Sequence, residues 1–148
     1  MEKTLVLISG AVVFKEERGK PLWFITQQGE NDDWEIAKAP VRRGESSVRA
    51  VIRMMGEKGG MSTRVLEEVG RAGGVTTVKE KTLPQRYIYY LMILKSSSNE
   101  TIGFQYYDWL DHSKALKRLS SKREKSMLKE AYRIYKNWKK QKEGKKKT

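Results

Sequence analysis

Few residues in this chain are equipped for chemistry. His112 is the single histidine and there is no cysteine, so thiolate metal sites and disulfides are excluded. His112 follows Asp111 at the start of a short helical segment, which suits a capping or exposed position, and nothing places a particular serine beside it as a nucleophile. Carboxylate–cation pairs and aromatic rings remain. Arg49, Arg53 and Glu57 recur at i, i+4 and i+8 and share one side of a helix, where an Arg53–Glu57 pair by itself is worth ~0.3–0.5 kcal/mol. In the segment Arg86–Lys95 (RYIYYLMILK), Tyr87 and Tyr89 fall on one face of a strand and Tyr90 on the other. A ring on the core side packs, while a ring on the open side is available to stack on a base. Phe104, Tyr106 and Tyr107 pose the same alternative.

Charge is distributed unevenly. The chain of 148 residues carries a formal net charge of +13. Residues 1–112 hold 16 Lys and Arg against 15 Asp and Glu, and residues 113–148 hold 15 against 3. A neutral body with a basic appendage suits an anionic partner such as nucleic acid, or else a solvated helix with a frayed end. With 38% hydrophobic and 33% charged residues the chain has one domain's worth of core without disordered composition. The opening run MEKTLVLISGAVVF is too short to span a bilayer and reads as a buried strand. Absence of cysteine fits a reducing, cytoplasmic setting.

The elements that must position these groups follow from periodicity. Thr4–Phe14 and Pro21–Gln27 flank a charged turn with Gly19 and predict a hairpin of buried strands. Trp34–Ala37 is a short strand. Val48, Val51, Ile52 and Met55 mark an amphipathic helix over 46–58, capped by Ser46 or Ser47 and ended by Gly59 and Gly60. Val65–Val69 and Val75–Lys79 read as two strands interrupted by Gly70, Gly73 and Gly74. The strand Arg86–Lys95, a loop at 96–99, a strand Gly103–Leu110 and a short helix Ser113–Leu119 come next. A final helix, Lys122 to Gln141, carries a docking stripe of Met127, Leu128, Ala131, Ile134, Tyr135 and Trp138. These elements make one domain over 1–141, and Lys142–Thr148, lacking an apolar anchor, is expected to be a disordered basic tail.

The order of these elements, with the residues between them, resembles the Nudix hydrolase family. That family's signature is G-x5-E-x7-R-E-U-x-E-E-x-G-U, with U a bulky aliphatic residue. On this chain Glu45, Arg53, Glu57 and Gly60 fall on signature positions, as do Met55 and Met61 at the aliphatic ones. Lys38 matches a lysine that often precedes the box, and Gly44 a glycine usual before the first glutamate. Ser9–Phe14 (SGAVVF), Asp108-Trp109-Leu110 and the final helix after Leu119-Ser120-Ser121 resemble the subgroup that cleaves diadenosine polyphosphates. The resemblance covers nearly the whole chain. It implies an α/β/α sandwich with a mixed sheet, to which a basic C-terminal helix is added.

The departures bear directly on activity. Ala39 replaces the first box glycine, Met54 the glutamate after the arginine, and Lys58 the second of the paired glutamates. The family uses these carboxylates to hold Mg²⁺ or Mn²⁺ against a diphosphate, and hard cations want oxygen ligands. A thioether is a poor substitute, and an ammonium delivers a cation where a cation should bind. Before Asp108 the chain reads Phe104-Gln105-Tyr106-Tyr107, where Gln105 offers only a neutral oxygen, and Glu100 is the nearest upstream acid. Glu57 is left as the one metal-facing carboxylate, and Glu45 orders the loop and the arginine.

The resemblance therefore predicts a Nudix-type protein whose metal-dependent hydrolysis is lost or strongly weakened and which holds no metal tightly. Its expected ligand is a nucleotide or RNA, bound by Lys38, Arg42, Arg43, Arg53 and Lys58, with Tyr87 and Tyr89 available for stacking. An active hydrolase of nucleoside-diphosphate-linked substrates is the alternative, with Glu57, Glu45 and Arg53 as its catalytic set and Mg²⁺ or Mn²⁺ as its cofactor. A scaffold within a ribonucleoprotein is the other.

Overall fold

The computed structural model describes residues 5–98 and 103–146. Thr4, Asn99, Glu100 and Lys147–Thr148, which fall within the expectations above, lie outside the described residues. A mixed sheet forms the middle layer, built from β1 (Val6–Glu17), β2 (Lys20–Gln27), β3 (Trp34–Glu35), β4 (Ala37–Pro40), β5 (Met61–Val78), β6 (Lys81–Ser97) and β7 (Tyr106–Leu110). Helix α1 (Ser47–Gly59) covers one face, and α2 (His112–Arg118) and α3 (Lys122–Lys146) cover the other. The result is an α/β/α sandwich.

Alternation along the strands divides the core. On β1, Val12 and Phe14 face α3 while Ala11 and Val13 face α1. On β6, Tyr89, Leu91 and Ile93 join the α3 side, and Ile88, Tyr90 and Met92 the α1 side. The separation of Tyr89 from Tyr90 follows the expected parity. The central pair β1–β6 is parallel, with Gly10 opposite Tyr89. A Cβ at Gly10 would lie 2.4 Å from the Tyr89 ring, so glycine is required for that ring to lie against β1.

Three differences from the expected elements have physical causes. First, β5 is one strand of 18 residues, with irregularities near Ser62, between Val65 and Glu67, and between Glu68 and Gly70. Bulges bend the strand without ending it; one falls at Gly70, while Gly73 and Gly74 pair in register with Arg86 and Gln85. Second, the segment expected as one strand at Trp34–Ala37 splits at Ile36. Its N–H donates to Glu124 Oε1 at 2.9 Å, so β3 stays with β2 while β4 crosses to β1. Third, α3 continues to Lys146, five residues beyond the expected end at Gln141, so most of the segment expected to be disordered is helical.

The buried stripe of α1 also differs. Ser46 caps the helix by accepting the Arg49 N–H at 3.1 Å, and Gly60 closes it with φ +59°. Inside, however, Ala50, Val51, Met54, Met55 and Gly59 are buried, and Ile52 is 41% exposed. The helix is rotated relative to the stripe expected at 48, 51, 52 and 55, and Met54 is driven into the core.

Candidate functional site

The first group of site residues forms on the outer side of α1. Glu45 grips Arg53 with both oxygens, Oε2 accepting from Nε at 2.6 Å and Oε1 from Nη2 at 2.9 Å. Oε1 also accepts the Arg42 N–H at 3.1 Å, which pins the loop before the helix. Gly44, at φ +79°, supplies the left-handed turn that brings Glu45 back to that amide. The Arg53 hydrogen bonds, followed by the Arg42 amide, draw the Glu45 carboxyl down to about 2. Glu45 thus ties the loop to the arginine.

Glu57 is 56% exposed along its side chain and lies 3.6 Å from Arg53 Nη1 and 3.6 Å from Arg42 Nη2. Two guanidinium groups therefore face the one box carboxylate that points to solvent. Met54, one of the two signature replacements, is 1% exposed and packs in the α1-side core. Lys58, the other, lines a cavity of about 300 Å³ with Lys38, Glu35, Gln27, Phe104 and Gln105. The loop before β7 is fastened to this end of α1, with Gly103 N–H donating to the Lys58 carbonyl at 2.9 Å. A Cβ at Gly103 would sit 2.5 Å from Lys58 Cβ, so this close approach needs glycine. Gln27 shapes the opposite wall, its amide donating to the carbonyls of Glu30 and Asp32 at 2.9 and 2.7 Å.

The sequence-derived set therefore separates into three places. Lys38 and Lys58 share the cavity, with Gln105 beside them. Arg42, Glu45, Arg53 and Glu57 form the outer cluster, and Arg43 is exposed in the adjoining loop. Tyr87 is half-buried on the other side of the sheet from α1, with the Arg123 guanidinium 4.4 Å from its ring centroid. Tyr89 is 0% exposed and belongs to the core, so it offers no open ring to a base, a correction to its expected stacking role. Burial, and then the charge of Glu124, push its hydroxyl well above the usual tyrosine range.

Glu124 is the residue sequence reasoning missed. It is 3% exposed in the first turn of α3 and accepts from Ile36 N–H at 2.9 Å, Lys38 Nζ at 2.8 Å and Tyr89 Oη at 2.9 Å. Lys38 Nζ also donates to the Ile36 carbonyl at 2.9 Å and lies 3.8 Å from Glu35. Its charge is thus spent largely inside the protein, which corrects the expectation of a lysine free for phosphate. The pattern Ser121-x-x-Glu124 was the available signal, since it reads as a capping box. Ser121 Oγ does accept the Glu124 N–H at 3.3 Å, but the carboxylate turns inward to the sheet.

A divalent cation does not fit the box residues. No group of three or more His, Asp or Glu side chains suited to a metal ion occurs among the described residues. Of the box positions, both carboxylates face arginines, one side chain is a buried thioether and one is an ammonium. Nor is any helix among the described residues long and apolar enough to cross a membrane.

No protein-family model matches the chain, and no curated protein does. Solved structures do. Ap4A hydrolase of C. elegans superposes with a TM-score of 0.69 at 20% identity, covering 89% of this chain and 99% of that one. A NUDIX hydrolase from Nitrosomonas europaea gives 0.67 at 12% identity, covering 87% and 89%. The NUDIX domain of Shewanella oneidensis NrtR, complexed with ADP ribose, gives 0.60 at 15% identity, covering 90% of each. The chain has the Nudix fold.

Proposed function

We propose that this Nudix-fold protein binds a nucleotide, or the phosphorylated end of an RNA, without appreciable metal-dependent hydrolysis. The observation that carries the reading is the position of Lys58. Lys58 lines the cavity at the end of α1, at a position the signature gives to a carboxylate, with Gln27, Glu35 and Gln105 alongside. An ammonium there neutralises phosphate charge directly, as a charge-assisted donor. Arg42 and Arg43 extend the field from the neighbouring loop, and Lys38, held by Glu124, contributes chiefly by shaping the cavity wall. A metal-activated water attacking phosphorus needs ligands that Met54 and Lys58 do not supply. Support from fold comes from the NUDIX domain complexed with ADP ribose.

Titration calorimetry with ADP-ribose and with a dinucleoside polyphosphate, in Mg²⁺ and in chelator, tests the proposal. Binding is expected to be the same in both and to weaken in Lys58→Glu, with turnover far below ~1 s⁻¹. Hydrolysis at or above that rate in Mg²⁺, abolished by Glu57→Gln, would instead assign an active diphosphate hydrolase.

A further inference from the structure

The basic face expected along α3 is not uniform. Arg123 donates to the Gly73 carbonyl at 3.1 Å and lies against Tyr87, so it is committed to the β5–β6 hairpin. Arg133 is paired with Glu130. Among the described residues Lys122, Lys125 and Lys129 near its start have no carboxylate partner, but further along the helix unpaired lysines meet a second element, the tip of the β1–β2 hairpin. There Gly19, Lys20 and Pro21 face Tyr132, Tyr135, Lys136, Lys139 and Lys140 across a cavity of about 290 Å³. No acidic residue lines it. Lys139 is neutralised by Glu16 at 2.5 Å, whereas Lys20, Lys136 and Lys140 have no carboxylate partner among the described residues.

The hairpin holds its side of the groove rigidly. Glu17 pairs with Lys20, leaving Arg18 and Gly19 as the two turn residues, both at positive φ (55° and 77°). That is the tight-turn geometry that matches strand twist, and it fixes Lys20 at the tip. The floor is aromatic. Tyr135 is locked by its hydroxyl donating to Glu16 at 2.7 Å, Tyr132 lies beside it, and Lys136 Nζ sits 4.8 Å above the Tyr132 ring. A planar base can displace an ammonium from such a ring while the ammonium turns to a phosphate.

We propose that this groove, between the β1–β2 hairpin tip and the C-terminal half of α3, is a binding site for single-stranded nucleic acid. It lies on the opposite side of the sheet from α1 and shares no lining residue with the box cavity, and the proposal does not rest on the reading of that cavity. Unpaired lysines around one half-buried ring, Tyr132, are what a sequence-tolerant single-strand site requires, since a base offers a face to stack and each phosphate a charge to neutralise. An anionic membrane is the lesser fit. Surface-bound helices insert an apolar face, and α3 spends Leu128, Ala131, Ile134 and Tyr135 on the core, with no large hydrophobic side chain strongly exposed.

The test is fluorescence anisotropy of a labelled uridine oligonucleotide with the full chain. Three unpaired lysines imply a log–log salt slope of about −2, so affinity falls by about fifteenfold between about 50 and 200 mM salt. Lys20→Glu with Lys136→Glu and Lys140→Glu should weaken binding at low salt by at least about tenfold and flatten the slope. Circular dichroism confirms that these surface changes leave the fold intact, and Lys20→Glu alone should lower affinity several-fold. Saturating ADP-ribose should not displace the oligonucleotide. Unchanged affinity in the triple variant overturns the proposal. So does loss of all binding on removing 142–148 while Lys20→Glu changes nothing, which assigns the contact to the tail. Duplex bound as tightly as single strand, or anionic vesicles displacing the oligonucleotide, overturns the single-strand assignment.

Discussion

Two glutamates hold two cations in this protein, and the surroundings give the pairs different work. Glu45 and Arg53 meet at the rim of α1, where each side chain keeps 15–19% of its exposure and water screens the pair. Glu124 and Lys38 meet between α3 and the sheet, where Glu124 accepts three hydrogen bonds, from Ile36 between β3 and β4, from Lys38 on β4 and from Tyr89 on β6. The first pair organises a loop and leaves the core indifferent to it. The second joins α3 to β4 and β6, and removing its carboxylate strands a buried backbone N–H and a buried hydroxyl and takes the nearest anion from Lys38. Identical charges therefore carry different energies, because unmet hydrogen bonds are costly only where water cannot replace them.

The largest expected effect lies at Glu124. Glu124→Ala should lower stability to urea by ~3–5 kcal/mol, the usual cost of breaking one side of a buried pair. Glu124→Gln, which retains an acceptor for Ile36 N–H, should lose less. If Glu124→Ala unfolds at the same urea concentration as Glu45→Ala, the distinction between the pairs collapses.

A second comparison sets the inner face of α1 against its end. Met54→Glu puts a carboxylate among Val51, Met55 and Phe104 and should cost more than ~2 kcal/mol in the same urea experiment. Lys58→Glu, at an exposed position, should stay within ~0.5 kcal/mol of the unaltered protein and should strengthen Mn²⁺ binding in calorimetry. Equal stability of the two variants would mean that position 54 reaches solvent.

The smallest effect is the pH dependence of the Glu45–Arg53 pair. The folded-state pKa of Glu45 is depressed from about 4.5 to about 2. A depressed carboxylate contributes stability that is present above its unfolded value and lost as pH falls through the folded one. The difference in urea midpoint between the unaltered protein and Glu45→Gln should therefore be full above pH 4.5 and vanish near pH 2. A difference that persists unchanged down to pH 2 breaks the account of this pair.

Much of the outer site could be read directly. Glu45, Arg53 and Glu57 stand where their spacing along loop and helix places them, because a cap at Ser46 and a left-handed glycine at Gly60 fix both ends of α1. The cavity was less legible. Its walls come from β2, β3, β4, the end of α1 and the loop before β7, segments up to 80 residues apart that no local pattern connects.

What the sequence determined by itself is local: the helix caps, the β1–β2 hairpin, the parity that separates Tyr89 from Tyr90, and the docking stripe of α3. Each depends on residues within a turn or two of one another, whose propensity and periodicity act over that range. The tertiary structure decided the parallel pairing of β1 with β6, the rotation of α1 that buries Met54 and exposes Ile52, and the inward turn of Glu124. A 3.6-residue period marks an amphipathic helix but leaves its angle to the sheet open, and Met54 is apolar enough for either side. The angle is settled by contacts with distant strands, and a carboxylate at a helix start turns inward only where those strands present it with an N–H, an ammonium and a hydroxyl at once.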